Sequence, residues 1–241
     1  MVAILDEAFE GLALAAANAE KNLKNARELF DSYLEAAFTK GGDGWTELAL
    51  DQLTEGNSPI TYGVVKPGDP GDIRFVRGGD ISNGRVRTEQ LRTITKTVSD
   101  QYRRTLLQGG ELLICLVGQP GQTAVAPDDL RGANIARQVG LIRLQQPTKP
   151  AFVCYFLRSR SGQKRLGSYT GGSVQQVINL ADLRHVVIPL PDAEAQAEIV
   201  ADLTDRESDV TRLEAIYQKK RREINELKQS LLAKAFAGDL T

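Results

Sequence analysis

Histidine, methionine and tryptophan occur once each in this sequence of 241 residues, and cysteine occurs twice. The one imidazole, His185, lies in LRHVVIPLP with no cysteine near it in sequence. It cannot supply a His-rich metal site, and a structural role is expected ahead of a general base. Cys115 in LLICLV and Cys154 in FVCYFL sit inside apolar runs. Two cysteines are too few for a disulfide framework and read as reduced core residues of a cytoplasmic protein. No run reaches the roughly 18–20 apolar residues of a membrane span. Met1–Leu5 also lacks the basic start of a secretory signal.

Nucleotide and catalytic motifs are missing too. There is no G-x-G-x-x-G fingerprint and no phosphate loop ending in lysine. Gly118–Thr123 (GQPGQT) is glycine-rich without that lysine and reads as a turn. The Asn/Asp-Pro-Pro-aromatic loop of amino-methyltransferases is absent. A nuclease-like set can be assembled from Asp192, Glu226 and Lys228 only by taking charges from a helix where they face solvent. The chain is therefore expected to be no enzyme, with no catalytic residue, metal or cofactor of its own.

What is present is unevenly distributed. Hydrophobic residues make up 41% and charged residues 25%, enough for a core. The net charge of −1 seems to argue against nucleic acid, but residues 45–192 carry 18 Lys and Arg against 13 Asp and Glu. That gives +5 on the middle and −6 on the two ends together.

The ends are helical by pattern. The first 40 residues contain no proline and one glycine. Phe9, Ala16, Leu23, Phe30 and Ala37 form one heptad series; Leu5, Leu12, Ala19, Ala26 and Tyr33 form the other. Gly41-Gly42 stops the helix. At the other end, Asp192 is a candidate N-cap, followed by the series Leu203, Val210, Tyr217, Ile224 and Leu231. Ile199, Leu213 and Leu227 belong to a second series that Arg206, Lys220 and Lys234 interrupt, and Gly238 ends the helix. At 1.5 Å per residue this helix runs on the order of 57 Å, longer than a globular core needs. Leu12, Leu23, Phe30, Leu203, Val210, Leu213, Tyr217, Ile224, Leu227 and Leu231 are the expected helical-arm interface. The pattern allows a mere staple of the termini, though a spacer or partner surface is the more economical reading.

Between the arms the pattern switches to short strands at Ile60–Val65, Ile73–Val76, Leu112–Val117, Val139–Leu144 and Val186–Pro189. Turns fall at Gly78-Gly79-Asp80 and Asn83-Gly84. Ala151–Ser159 reads as a helix with Phe152, Tyr155 and Phe156 on its apolar side, and Asn179 caps a short one at Leu180–Leu183. The fold class is α+β, one mixed α/β globule flanked by two long heptad-patterned helices. The expected divisions are an N-terminal arm at 1–41, a central globular domain at 45–192 and a C-terminal arm at 193–238.

The chemistry lies in the middle. Arg85, Arg87, Arg92, Lys96, Arg103 and Arg104 belong to one cluster that also includes Arg74 and Arg77; Arg158, Arg160, Lys164 and Arg165 form another. The second runs into Ser168–Gln176, where Tyr169, Thr170, Ser173, Gln175 and Gln176 interleave with glycines. Cations neutralise phosphates, while Arg, Gln and Asn read base edges through paired donors and acceptors. An ordinary solvated basic face is the competing reading.

The strings IRFVRGGDISNG, ANIARQVGLIRL, GGSVQQVINLADLRHVVIPLP and LKQSLLAKAFAGDL, with the helical start ILDEAFEG, occur here in this order. In these the chain resembles the specificity (S) subunits of type I restriction–modification systems, over nearly its whole length. The start looks like the conserved helix before the second target recognition domain of those subunits. Two features depart from the pattern: one recognition domain instead of two, and Ala195 where the family usually has glutamate before Gln196. The resemblance implies a non-catalytic subunit that reads one half of a bipartite site on double-stranded DNA. It implies docking to methyltransferase subunits, indirectly to restriction subunits, with S-adenosylmethionine, Mg and ATP used by those partners. It also implies a half-subunit, either naturally split or truncated, which would dimerise through its helical arms, so that two-fold symmetry predicts an interrupted palindrome. The alternative is a coiled-coil dimeric interaction protein whose basic globule binds another protein.

Overall fold

A computed structural model describes residues 2–39, 41, 44–56, 59–168, 170–171 and 177–237. The chain begins with α1 (Val2–Thr39), β1 (Thr46–Ala49), β2 (Thr61–Tyr62), β3 (Ile73–Val76), β4 (Ile81–Ser82), β5 (Arg85–Val86), β6 (Arg92–Ile94) and α2 (Lys96–Asp100). Then come β7 (Leu112–Cys115), β8 (Thr123–Val125), β9 (Asn134–Ile135), β10 (Val139–Ile142), α3 (Pro150–Arg158) and α4 (Arg160–Gly167). Last are β11 (Thr170–Gly171), β12 (Val177–Ile178), α5 (Leu180–Arg184), β13 (Val187–Leu190) and α6 (Ala193–Ala237). The chain divides into two compact units. One is built from α1 up to Tyr33 and α6 from Asp202 onward; the other is Leu34–Ala201.

In the helical unit the arms run antiparallel. Arg27 pairs with Glu214 at 2.5 Å, and six residues later the Tyr33 ring lies 4.2 Å beneath the Arg206 guanidinium. The α1 seam follows the heptads: Ala19, Leu23, Ala26 and Phe30 are buried, and Leu12 and Ala16 half-buried. On α6, Leu203 is buried and Val210, Tyr217, Ile224 and Leu231 are half-buried.

The second α6 series departs from expectation. Leu213 is 40% and Leu227 51% exposed, outside the seam of this hairpin. Glu207 and Glu214 are half-buried in their stead, and Glu214 meets Arg27. Tyr33 is likewise 40% exposed, and the buried stripe passes to Leu34.

The globule takes in the last turn of α1 and the start of α6. Phe38 packs edge-on against Phe152 and Phe156, with centroids 5.4 and 5.3 Å away, and Trp45 meets Phe152 at 6.0 Å. All six residues from Phe152 to Leu157 are buried. Asp192 caps α6 as its sequence position suggests, accepting from the Ala195 N–H at 2.9 Å. Gln196, buried, accepts from the Lys149 N–H at 2.9 Å and donates to the Pro191 carbonyl at 3.0 Å. Asp192 and Gln196 together fix the entry into α6.

Strand pairing is mostly non-local. A four-stranded sheet has the order β2-β10-β7-β8, and a three-stranded one the order β6-β3-β9, with β3 and β9 parallel. β1 pairs with β13, β4 with β5 and β11 with β12, each antiparallel. The central strands β7 and β10 are buried at every position, so Leu112–Cys115 and Val139–Ile142 read as continuous apolar runs. Asn83 at φ 50° and Gly84 at φ 77° make the tight β4–β5 turn that the Asn-Gly pair predicts.

Candidate nucleic-acid interface

The basic residues separate into those that hold the globule together and those that face solvent. Arg165 belongs to the first group. Its guanidinium bonds the Val187 carbonyl at 2.9 Å and Glu47 at 2.7 Å, and lies 5.5 Å over the Phe156 ring. Arg158 lies 5.2 Å over the Tyr155 ring and packs so tightly on Gly84 that a Cβ there would come within 2.4 Å of its Nη1. Arg160 and Lys164 are exposed on α4.

In the first cluster, Lys96 pairs with Asp100 at 2.8 Å, and Arg103 approaches the same carboxylate at 3.6 Å. The hydrogen bond from Lys96, then the charges of Lys96 and Arg103, bring the Asp100 carboxyl below its ordinary value. Arg104 is exposed, and its carbonyl accepts from Arg143 at 3.0 Å. Arg87 is exposed but donates to the Gly79 carbonyl. Arg85 and Arg92 are exposed on β5 and β6. Tyr169, Ser173, Gln175 and Gln176 lie outside the described residues, and Thr170 is described only as part of β11.

Asp80 organises the surface beside them. Its buried carboxylate accepts the Arg77 backbone N–H at 2.8 Å and the same guanidinium through Nε at 3.1 Å and Nη2 at 2.9 Å. Those bonds raise the Arg77 pKa further. A fork fixed in this way keeps its geometry at little entropic cost. Arg77 lines a groove of about 510 Å³ with Arg92, Arg137 and Gln138. Apolar and proline residues, among them Val65, Pro67, Pro70 and Phe75, complete its walls, and among the described residues no acid lines it.

Arg137 and Gln138 were not among the expected contacts. They follow β9 inside ANIARQVGLIRL, a string dominated by strand signal. The only local hint is an Arg-Gln pair, both base-reading types, interrupting apolar residues. His185 is exposed at the C-terminus of α5, not in the core. Among the described residues no group of three or more His, Cys, Asp or Glu is gathered to hold a metal, and no helix is long and apolar enough to cross a membrane.

The chain thus combines a mixed α/β globule, which carries the arginine-lined groove, with an antiparallel helical pair. Residues 43–226 match the type I restriction modification DNA specificity domain, and the chain belongs to that family. It is 33% identical over 202 residues to the type I restriction enzyme EcoBI specificity subunit of Escherichia coli, covering 83% of this chain and 42% of that protein. Three solved structures share the fold. One, described as the structural basis of complex assembly and conformational transition of the type I R-M system, is 22% identical with a TM-score of 0.75, covering 99% of this chain and 58% of that one. The HsdS subunit from Thermoanaerobacter tengcongensis is 23% identical at 0.58, covering 99% and 57%. The type I S subunit from M. genitalium is 13% identical at 0.56, covering 96% and 59%. This chain thus spans about half the length of the relatives it matches. The family is one of specificity subunits, not of the catalytic subunits.

Proposed function

We propose that this chain is the sequence-specific DNA-recognition subunit of a type I restriction–modification complex, reading one half of a bipartite, interrupted site. The observation that carries the reading is the match of residues 43–226 to a DNA specificity domain. The acid-free arginine groove on that same globule supports it. One globule reads one half-site, and pairing two copies as a homodimer on an interrupted palindrome is the arrangement we propose for reading two. Leu29, Leu213, Ile216 and Leu227 stay exposed on the helical pair and offer apolar area for another copy or for methyltransferase subunits. Those subunits would bring S-adenosylmethionine, and the restriction subunits Mg and ATP.

Selection from a random duplex pool by the full chain, alone and with its methyltransferase subunit, tests the reading, together with the mass of each complex. An enriched interrupted palindrome bound by two copies is the expected result. A pool that yields no enriched site under either condition overturns DNA recognition and favours a helical interaction protein. Turnover of DNA by the pure chain with magnesium or S-adenosylmethionine would overturn the non-catalytic part.

A further inference from the structure

The basic residues singled out along the chain differ in what engages them. Arg165 is tied to Glu47 and Val187, Arg77 to Asp80, and Lys96 and Arg103 to Asp100. Arg92 and Arg137 differ. Both are exposed, neither has a carboxylate within ion-pair distance among the described residues, and both line the acid-free groove. A cleft lined by one sign of charge with apolar walls focuses the field on an incoming polyanion.

The backbone beneath Arg137 and Gln138 is fixed from several directions. The Ala136 N–H donates to Val76 at 2.8 Å, and the Arg137 N–H to Val64 at 2.9 Å. The Gln138 carbonyl accepts from Leu116 at 2.7 Å, and the Val139 N–H donates to Ala136 at 2.9 Å. Two exposed side chains therefore project from a segment that three strand-bearing regions hold rigid. Arg137 also borders a second groove, with Tyr62, Val117 and Asn179, so it stands on the ridge between the two. Rigid backbone with solvent-facing donors is what a recognition contact requires, since little ordering remains to be done on binding.

Resting on the DNA-recognition reading above, we propose that this groove is where the globule engages its half-site. Arg92 and Arg137 neutralise backbone phosphates, and Gln138 reads a base edge. Glutamine pairs its amide with N6 and N7 of adenine, so the half-site contains an adenine whose identity depends on Gln138. Arg77, braced by Asp80, shapes the groove wall and adds charge without moving.

The test uses the full chain in site selection and in binding titrations across salt. For Arg92→Ala/Arg137→Ala, the slope of log K against log salt falls by about 2, one for each phosphate contact, while the selected site is unchanged. For Gln138→Ala, the slope is unchanged and the preference for adenine at one position drops roughly 5- to 150-fold. All three side chains are exposed, so thermal unfolding should coincide with wild type and confirm that the fold is intact. If wild type enriches no site, the DNA-recognition reading itself fails. If wild type enriches a site and either variant keeps both slope and base preference, the groove is overturned while that reading stands.

Discussion

The Glu35 carboxylate accepts two hydrogen bonds from Ser161, from its backbone N–H at 3.0 Å and its hydroxyl at 2.5 Å. Residues 126 positions apart in sequence are thereby joined at the N-terminus of α4, where a negative charge also complements the helix dipole. Burial acts to raise the Glu35 pKa, but the bonds from Ser161 and Thr39 outweigh it and hold the carboxyl below its ordinary value of 4.5.

A group depressed on folding contributes stability that is complete above its unfolded pKa and is lost as pH falls through the folded one. Wild type should therefore lose part of its urea resistance as pH drops below about 4.5, the carboxyl's ordinary value. Glu35→Gln should begin less stable at pH 7 and show a flatter acid limb. Parallel limbs for the two proteins would show that Glu35 is not linked to stability.

Asn134 is fully buried and binds several groups at once. Its Oδ1 accepts from the Thr105 hydroxyl at 2.7 Å and the Ile135 N–H at 2.9 Å, while Nδ2 donates to Ser99 at 3.3 Å. Asn134→Ala leaves the buried Ile135 N–H without the acceptor that Asn134 supplies and should cost about 1–3 kcal/mol in urea unfolding. An unchanged midpoint would mean that the region relaxes to admit water.

Arg165 should behave as a structural residue. Arg165→Ala removes the bonds to Val187 and Glu47 and the stacking on Phe156. We expect a loss of about 1–2 kcal/mol in stability, discounted for partial exposure. The salt dependence of DNA binding should not change; a slope lowered by about 1 would return Arg165 to the interface.

Along α6, Leu203 and Leu227 should separate cleanly. Leu203 is 1% exposed, and truncation to alanine should cost about 2–5 kcal/mol. Leu227 is 51% exposed, and its truncation should change the stability of an isolated chain by less than about 0.5 kcal/mol. Calorimetry at concentrations where the chain is monomeric reads both. Equal losses would mean that Leu227 is buried in solution.

How much of this was legible beforehand depends on where each determinant lies. The seam through Leu23 and Phe30 is a local periodicity, and the buried runs at Leu112 and Val139 announce central strands. By contrast, α4 (RSGQKRLG) has little apolar content and is started by the Ser159 hydroxyl and by Glu35 from far upstream. Strands such as β9 are two residues long and exist because Phe75 and Asn134 pair in parallel, which no alternation reveals. Leu213 and Leu227 fit a heptad, yet α6 turns the series Leu203, Val210, Tyr217 and Ile224 inward and leaves both of them exposed. The groove was invisible for the same reason: Arg92 and Arg137 meet only through folding, and composition counts them equally with Arg165.

The β1–β13 pair joins Thr46–Ala49 to Val187–Leu190 with almost the whole globule between them. By the logarithmic rule, closing a loop of about 140 residues costs only about 1.5 kcal/mol more than closing the β7–β10 loop. The penalty is small in energy but large in order of events. On the ribosome the sheet from β2 to β10 has all its strands once Ile142 has emerged, whereas the globule's last seam waits for Leu190. For that interval Leu48 and Ala49 have no partner strand, so the globule's strand pairing closes by joining the first strand made to the last.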